Sequence, residues 1–323
     1  DVKVIMAYAE GMKSADRICR ALEMARDAGK PVIFQKVGKS EIGAEAAASH
    51  TASLAGSDAV YDALFKQYGV YRAETTEEMV DVAYACQFGR YPPGRKISLQ
   101  TISGGVGVQM ADAAEKYDLL VPPMPQETQK KLKKLLPFAA VRNPVDFTAQ
   151  ALNDPRLMQE DISLTIEEAD YDGHIIYLAG VAASPITRDV CMEILGNLRE
   201  KYPDEIMLMS LCGAEDVVPE YEALQCPCFD DPGLTVRAWA ALAYFGEVFA
   251  RGRGEAPPAA PSEMLPAPGN AVAEHEAKRV LASAGIPVTR ELLVASSQQA
   301  LAAWREIDGP VVMKIASPDI PHK

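Results

Sequence analysis

Apolar positions along residues 2–93 switch between two periods. Residues 2–8 (VKVIMAY) and 31–37 (PVIFQKV) are short, almost unbroken apolar runs, the pattern of strands covered on both faces. Between them a helical stretch runs through Cys19 to Ala28. Ser57 can cap a helix carrying Val60, Ala63 and Leu64 on one face. Thr75 and Glu78 form a capping-box pair, opening a helix with Met79, Val82 and Ala83 inward. The alternation restarts at 96–103 (KISLQTIS), where the turn Gly104-Gly105-Val106-Gly107 leads into a helix over 106–116. Residues 174–180 (HIIYLAG) and 206–213 (IMLMSLCG) read as strands, with helices near 188–201 and 234–250. Strands alternating with helices predict parallel α/β sheets.

Between Gly252 and Gly269 the composition changes to GRGEAPPAAPSEMLPAPG. So much proline cannot sustain a helix or a central strand, so this stretch reads as an extended, semi-rigid linker. Helices at 272–284 and 296–306 and a strand at 310–316 (PVVMKIA) then open a third domain, which the 53 residues 271–323 are too few to finish. The expected division is 1–93, 94–252, a linker at 253–270, and 271–323. The chain begins with Asp1 rather than Met and stops at Lys323 just after a strand-like run, so both ends read as cut.

Bulk properties narrow the function classes. With 48% hydrophobic and 24% charged residues the chain has the makeup of a globular protein, and 323 residues suffice for about two domains. A net charge of −13 argues against nucleic acid and anionic membranes as partners. No apolar run approaches the roughly 18 residues of a membrane span, and no secretory signal precedes Val2. A cytoplasmic enzyme is the expectation. Six scattered cysteines make no disulfide framework, and Cys226-Pro227-Cys228 lacks further ligands at zinc spacing, so no metal site is expected.

The richest segment chemically is 38–58, GKSEIGAEAAASHTASLAGSD. Its small residues can hug a ligand or another backbone. His50 is its only imidazole, flanked by Ser49 and Thr51, and follows a strand on the side where α/β sheets bind ligands. Glu10 ends the first strand and can accept the second ring N–H of an imidazole, fixing its tautomer. The plainer readings are a surface histidine and a solvated turn carboxylate. Val37-Gly38-Lys39-Ser40 fails as a phosphate loop, because Ile33 stands where that pattern needs glycine. Ser103, Gly104 and Gly105 lie at a helix N-terminus, which suits either an anion or merely a tight turn. As a dinucleotide fingerprint this turn is poor, since the third glycine falls at Met110. Lys314 interrupts an apolar strand and needs a partner such as a nucleotide phosphate, unless it snorkels to water. His174 and His275 read as structural.

Together these residues resemble the NDP-forming acyl-CoA synthetases, the family of ADP-forming acetate–CoA ligase and, more distantly, succinyl-CoA synthetase. The stretch 48–63 (ASHTASLAGSDAVYDA) is similar to that family's phosphohistidine loop. NPVDFT (143–148) and the 103–108 turn are similar to its second ligase domain, and 276–288 with 310–323 to the start of its ATP-grasp domain. The resemblance implies two flavodoxin-like parallel-sheet ligase domains followed by the start of an ATP-grasp domain. It implies that His50 is phosphorylated, Glu10 steadies it, Ser103, Gly104 and Gly105 face phosphate, Lys314 contacts nucleotide, and His322 relays phosphate. Family members often carry glycine at Ala52, Asn at Ile102 and Pro at Val106, and these departures touch mainly the phosphate cradle.

The reaction so implied interconverts acyl-CoA, phosphate and NDP with carboxylic acid, CoA and NTP. CoA, ATP/ADP or GTP/GDP, phosphate and nucleotide-bound Mg²⁺ are the implied cofactors, with the Mg²⁺ ligands outside this chain. A homo-oligomer is expected, and 1–323 alone is expected to be inactive. The alternatives are a non-catalytic regulatory relative that binds CoA or nucleotide, and an α/β oxidoreductase using the 104–107 turn.

Overall fold

The computed structural model describes residues 2–40, 42–43, 45–46, 57–148, 154–213, 215–252 and 272–317. The chain forms two compact units, Asp1–Gly252 and Arg253–Lys323.

The first unit opens with β1 (Ile5–Ala9), α1 (Ala15–Asp27), β2 (Val32–Lys36), α2 (Asp58–Tyr68), β3 (Tyr71–Arg72) and α3 (Thr76–Cys86). The three strands are parallel, in the order β1-β2-β3. Ala9 pairs with Lys36, so Glu10 and Lys36 emerge at the same carboxyl end of the sheet. The Thr75 hydroxyl accepts the Glu78 N–H at 3.1 Å, and Glu78 accepts in turn from the Glu74 N–H at 2.8 Å, closing the first turn of α3 as expected.

Two expectations fail here for physical reasons. β1 is not covered on both faces: Met6 and Tyr8 are exposed, because among the described residues the core packs on its Ile5, Ala7 and Ala9 face. Helix α2 does not bury Val60 and Ala63, which are exposed. It turns Tyr61 and Phe65 inward instead, and Phe65 lies 4.9 Å from Phe34 centroid to centroid. Aromatic rings bury more apolar surface than valine or alanine, so they decide the helix rotation.

The second sheet is built from β4 (Ser98–Thr101), α4 (Gly104–Lys116), α5 (Gln126–Leu135), β5 (Ala140–Val141), β6 (Val145–Asp146), α6 (Pro155–Glu168), β7 (His174–Tyr177), α7 (Arg188–Lys201), β8 (Met207–Ser210), α8 (Val218–Ala223), β9 (Cys228–Phe229) and α9 (Pro232–Arg251). Its order is β5-β6-β4-β7-β8-β9, and β5 is its antiparallel strand. Taken in chain order, the parallel strands run 2-1-3-4-5, the flavodoxin-like arrangement. Alternate strand residues feed two cores. Ile175 and Leu208 join α3, α4 and α9 on one face, while Ile176, Met207 and Met209 join α6 and α7 on the other.

Helix α9 packs against both α3 and α4 and so ties the two sheets together. Two glycines permit this. A Cβ on Gly246 would lie 2.0 Å from the Pro92 carbonyl oxygen, and one on Gly173 would lie 2.2 Å from the Trp239 ring.

At the amino ends of β4 and β7, Ser98 Oγ lies 2.7 Å from His174 Nδ1, and Glu205 lies 3.3 Å from Nε2. The trio has the connectivity of a hydrolase triad, yet Ser98 and His174 are buried and no substrate reaches them. His174 is structural, as expected. Asp161, on α6, is also buried, and neither carboxylate oxygen finds a hydrogen-bond partner among the described residues.

The second unit contains α10 (Glu274–Ser283) and α11 (Ser297–Ile307). Residues 310–317 form no strand, contrary to expectation, since no described strand stands beside them to complete a hydrogen-bonded ladder. Val312, Met313 and Ile315 are exposed. Among the described residues no helix is long and apolar enough to cross a membrane.

Two measurements check this account. Ala at an interior helical glycine normally stabilises by about 1 kcal/mol, and Gly196→Ala in α7, with open space around it, should do so. Gly246→Ala should instead cost about 1–3 kcal/mol, because the clash is with backbone. Urea unfolding giving both variants the same sign would refute the packing argument. Secondly, burial raises the Asp161 pKa to about 7. Between pH 4 and 7 the native state therefore binds a proton that the unfolded chain releases, and stability falls as pH rises. Asp161→Asn should flatten that slope and add roughly 2–4 kcal/mol at pH 8; an unchanged pH–stability curve rules this out.

Candidate functional site

Two sets of side chains collect at carboxyl ends of strands in the first unit. At β1–β3, Glu10 follows the last paired residue of β1 and is half-buried. Its Oε2 is buried and has no hydrogen-bond partner among the described residues. Desolvating a carboxylate oxygen without a donor is costly, so this atom is suited to receive one.

Lys36, the last residue of β2, is 1% exposed. Its Nζ donates to the Val37 carbonyl at 2.5 Å and sits 4.7 Å from the Tyr61 ring centroid. Burial pulls its pKa down, while Asp58 and, more weakly, Glu10 push it back up. Asp58, in the first turn of α2, accepts from Arg72 at 2.6 Å, and Arg72 also binds Asp62. The Arg72 hydrogen bond holds the Asp58 carboxyl below its ordinary range. Lys39 pairs with Glu74 at 2.7 Å. His50 itself lies outside the described residues.

The second set lies where the order of the second sheet reverses, beyond β4 and β7, the usual ligand crevice of such sheets. Thr101 folds the turn: its hydroxyl accepts the Ser103 N–H at 2.9 Å and reaches the Ser103 carbonyl at 3.0 Å. Helix α4 begins at Gly104, two residues earlier than expected, with Ser103 as its N-cap. Gly104 and Gly105 are exposed, and the Ser103 side chain makes no capping bond. First-turn N–H groups have no intrahelical acceptor, so this end can receive an anion.

One feature escaped the sequence reading. A Cβ on Gly104 would lie 3.0 Å from Asp146 Oδ2, so a carboxylate already stands at this helix end. The other oxygen, Oδ1, accepts the Thr148 N–H at 2.9 Å. The signal was present in NPVDFT, but only the fold shows that strand β6 delivers Asp146 beside β4. Asn143 of the same motif is structural: its side chain binds Leu99, Ile97 and Pro122 backbone, each at 3.0 Å. Ile102 packs against the core, so this departure from the family leans away from the turn.

In the second unit Lys314 is not a buried strand ammonium. Its side chain is half exposed, and Nζ lies 3.2 Å from both Glu274 oxygens. The expected desolvation is absent because the strand itself is absent. Lys314 borders a groove with Lys278 and Trp304. His322 lies outside the described residues. Among the described residues no three His, Cys, Asp or Glu side chains converge on a metal-sized site.

Three family descriptions match the chain: a succinyl-CoA ligase like flavodoxin domain at residues 1–86, a ligase-CoA domain at 97–227 and an ATP-grasp domain at 263–323. An ADP-forming acetate–CoA ligase I of Archaeoglobus fulgidus is 30% identical over 99% of this chain and 47% of its own length. An ADP-forming 4-hydroxybutyrate–CoA ligase of Nitrosopumilus maritimus is 28% identical over the same shares. A dinucleotide-forming acetyl-coenzyme A synthetase 1 of Ca. Korarchaeum cryptofilum, solved with phosphate and ADP, superposes with a TM-score of 0.66 at 27% identity. That match covers 76% of this chain and 54% of the other. The chain thus spans about half the length of the relatives it matches.

Proposed function

This chain belongs to the NDP-forming acyl-CoA synthetase family, and from that premise we propose that it carries the phosphoryl relay of an acid–thiol ligase. The reaction is acyl-CoA + phosphate + NDP ⇌ carboxylic acid + CoA + NTP. A phosphate oxygen attacks the thioester carbonyl, the C–S bond breaks, and CoA leaves as thiol, giving an acyl phosphate. An imidazole nitrogen of His50 then attacks phosphorus, and the carboxylate leaves. A terminal oxygen of the NDP finally takes the phosphoryl group and frees the imidazole. Each step is mainly positioning and charge stabilisation.

The observation that carries this reading is the buried Oε2 of Glu10 at the carboxyl end of β1, which has no hydrogen-bond partner among the described residues. It is suited to accept the N–H of an imidazole whose other nitrogen is the nucleophile. The N–H groups at Ser103, Gly104 and Gly105 would cradle the phosphoryl group, Lys314 would contact nucleotide, and His322 would relay phosphate toward it. CoA and the Mg²⁺-bound nucleotide enter as substrates. Because residues 1–323 span about half the length of these relatives, turnover is expected of the intact enzyme and not of residues 1–323 alone.

The test is phosphorylation of the intact enzyme by Mg·ATP or Mg·GTP. Wild type should acquire acid-labile phosphate, His50→Asn should acquire none, and Glu10→Gln should label about 10–100-fold more slowly, the usual cost of losing a carboxylate that orients an imidazole. Wild type without any label would point to a non-catalytic relative.

A further inference from the structure

Lys36 is a buried ammonium that the strand layer does not need. Val32 and Phe34, four and two residues earlier on the same face, are apolar and pack with Phe65, and an apolar residue at 36 would continue that face. An ammonium has three donors, and one hydrogen bond, to Val37, is in place. No carboxylate among the described residues lies within ion-pair distance of it. The nearby acids serve other cations: Asp58 and Asp62 hold Arg72, and Glu74 holds Lys39. A buried charge without an ion-pair partner is costly, and burial accordingly draws its pKa down. It sits at the carboxyl end of β2, one strand from Glu10, whose Oε2 has no hydrogen-bond partner among the described residues. Any dianion brought to this edge meets the Glu10 and Asp58 carboxylates, and Lys36 is a nearby cation that no acid among the described residues pairs with directly.

We propose that Lys36 is the charge partner of the phosphoryl group received at the carboxyl ends of β1 and β2: its ammonium, held on the Val37 carbonyl and the Tyr61 ring, stabilises the dianion and offsets the Glu10 carboxylate. The inference rests on the phosphoryl relay proposed above. It assigns to Lys36 a direct electrostatic effect on the phosphoryl group, with no bond made or broken at the lysine.

The experiment compares wild type, Lys36→Met, Lys36→Gln, Lys36→Arg and His50→Asn in the intact enzyme, phosphorylated with Mg·ATP. Acid-labile phosphate per chain, its rate of loss and its ³¹P chemical shift are measured, with thermal unfolding as a check on the fold. Lys36→Gln keeps a donor for Val37 while removing the charge, so it carries the test where Lys36→Met fails to fold. Neutral variants should lose about tenfold in phosphate occupancy, shed it faster and shift the ³¹P resonance, as expected when one neighbouring unit charge is removed. Lys36→Arg should retain most of the label. Folded Lys36→Gln with wild-type occupancy, lifetime and resonance overturns the proposal, as does Lys36→Arg losing label as fully as Lys36→Gln, since shape would then matter and charge would not. Label persisting in His50→Asn would instead sink the relay reading on which this inference stands.

Discussion

The seat of helix α9 between the two sheets is the constraint on which the first unit depends. Trp239 and Phe245 are fully buried there, and Tyr244 donates across to the Val70 carbonyl at 3.1 Å. Two ion pairs flank the helix, Arg237–Asp81 at 2.5 Å and Arg95–Glu247 at 2.6 Å. They differ in kind. At Glu247 the Arg95 hydrogen bond outweighs burial and the carboxyl falls below its ordinary range. At Asp81 burial outweighs the pull of Arg237 and the carboxyl rises above its range. The Arg237–Asp81 pair is therefore better understood as fixing how α9 docks than as a source of stability. Apolar burial and close approach at Gly246 and Gly173 do the holding.

That docking matters because it holds together two sheets whose carboxyl ends carry the candidate chemistry. Position on a sheet separates a site from a look-alike. Ser98, His174 and Glu205 have hydrolase-like spacing, yet Ser98 and His174 stand at the amino ends of their strands and are closed to solvent. Glu10 and Ser103–Gly105 have no such ready-made geometry, but they stand where strand order and helix N-termini leave polar groups unmet. Polar groups already satisfied among themselves mark structure. Unmet ones at a strand's carboxyl end mark a place for a ligand.

The sequence made some of this legible and hid the rest for identifiable reasons. Strand and helix alternation, the Thr75–Glu78 cap and a helix following Ser103 through Lys116 are local patterns that appear in the fold, although the helix opens at Gly104 and not at the expected Val106. The rotation of α2 is hidden in the sequence because Val60 and Ala63 obey helical spacing as well as Tyr61 and Phe65 do, and only ring packing against Phe34 chooses between them. The run at 310–316 has strand composition, but a strand is a property of a pair and no described partner exists. The company of Glu10 with Lys36, and of Asp146 with Gly104, depends on register between strands far apart in sequence. The residue on which the family likeness centres, His50, lies outside the described residues.

A chain of net charge −13 is an unpromising host for phosphate and nucleotide. At physiological salt, charges on its surface are screened beyond about 8 Å, so the unfavourable field is weak where a ligand approaches. Buried charges and fixed dipoles are screened far less, so the contest is decided in the last few ångströms. Arg72 and Lys39 pair with described acids near β2, and among the described residues the Lys36 ammonium has no direct ion pair. At the other edge the N–H groups of α4 are opposed by Asp146, which stands against Gly104. The two edges therefore differ in how strongly they favour an anion: β2 carries a whole buried charge, whereas the α4 terminus carries a partial one already shared with a carboxylate.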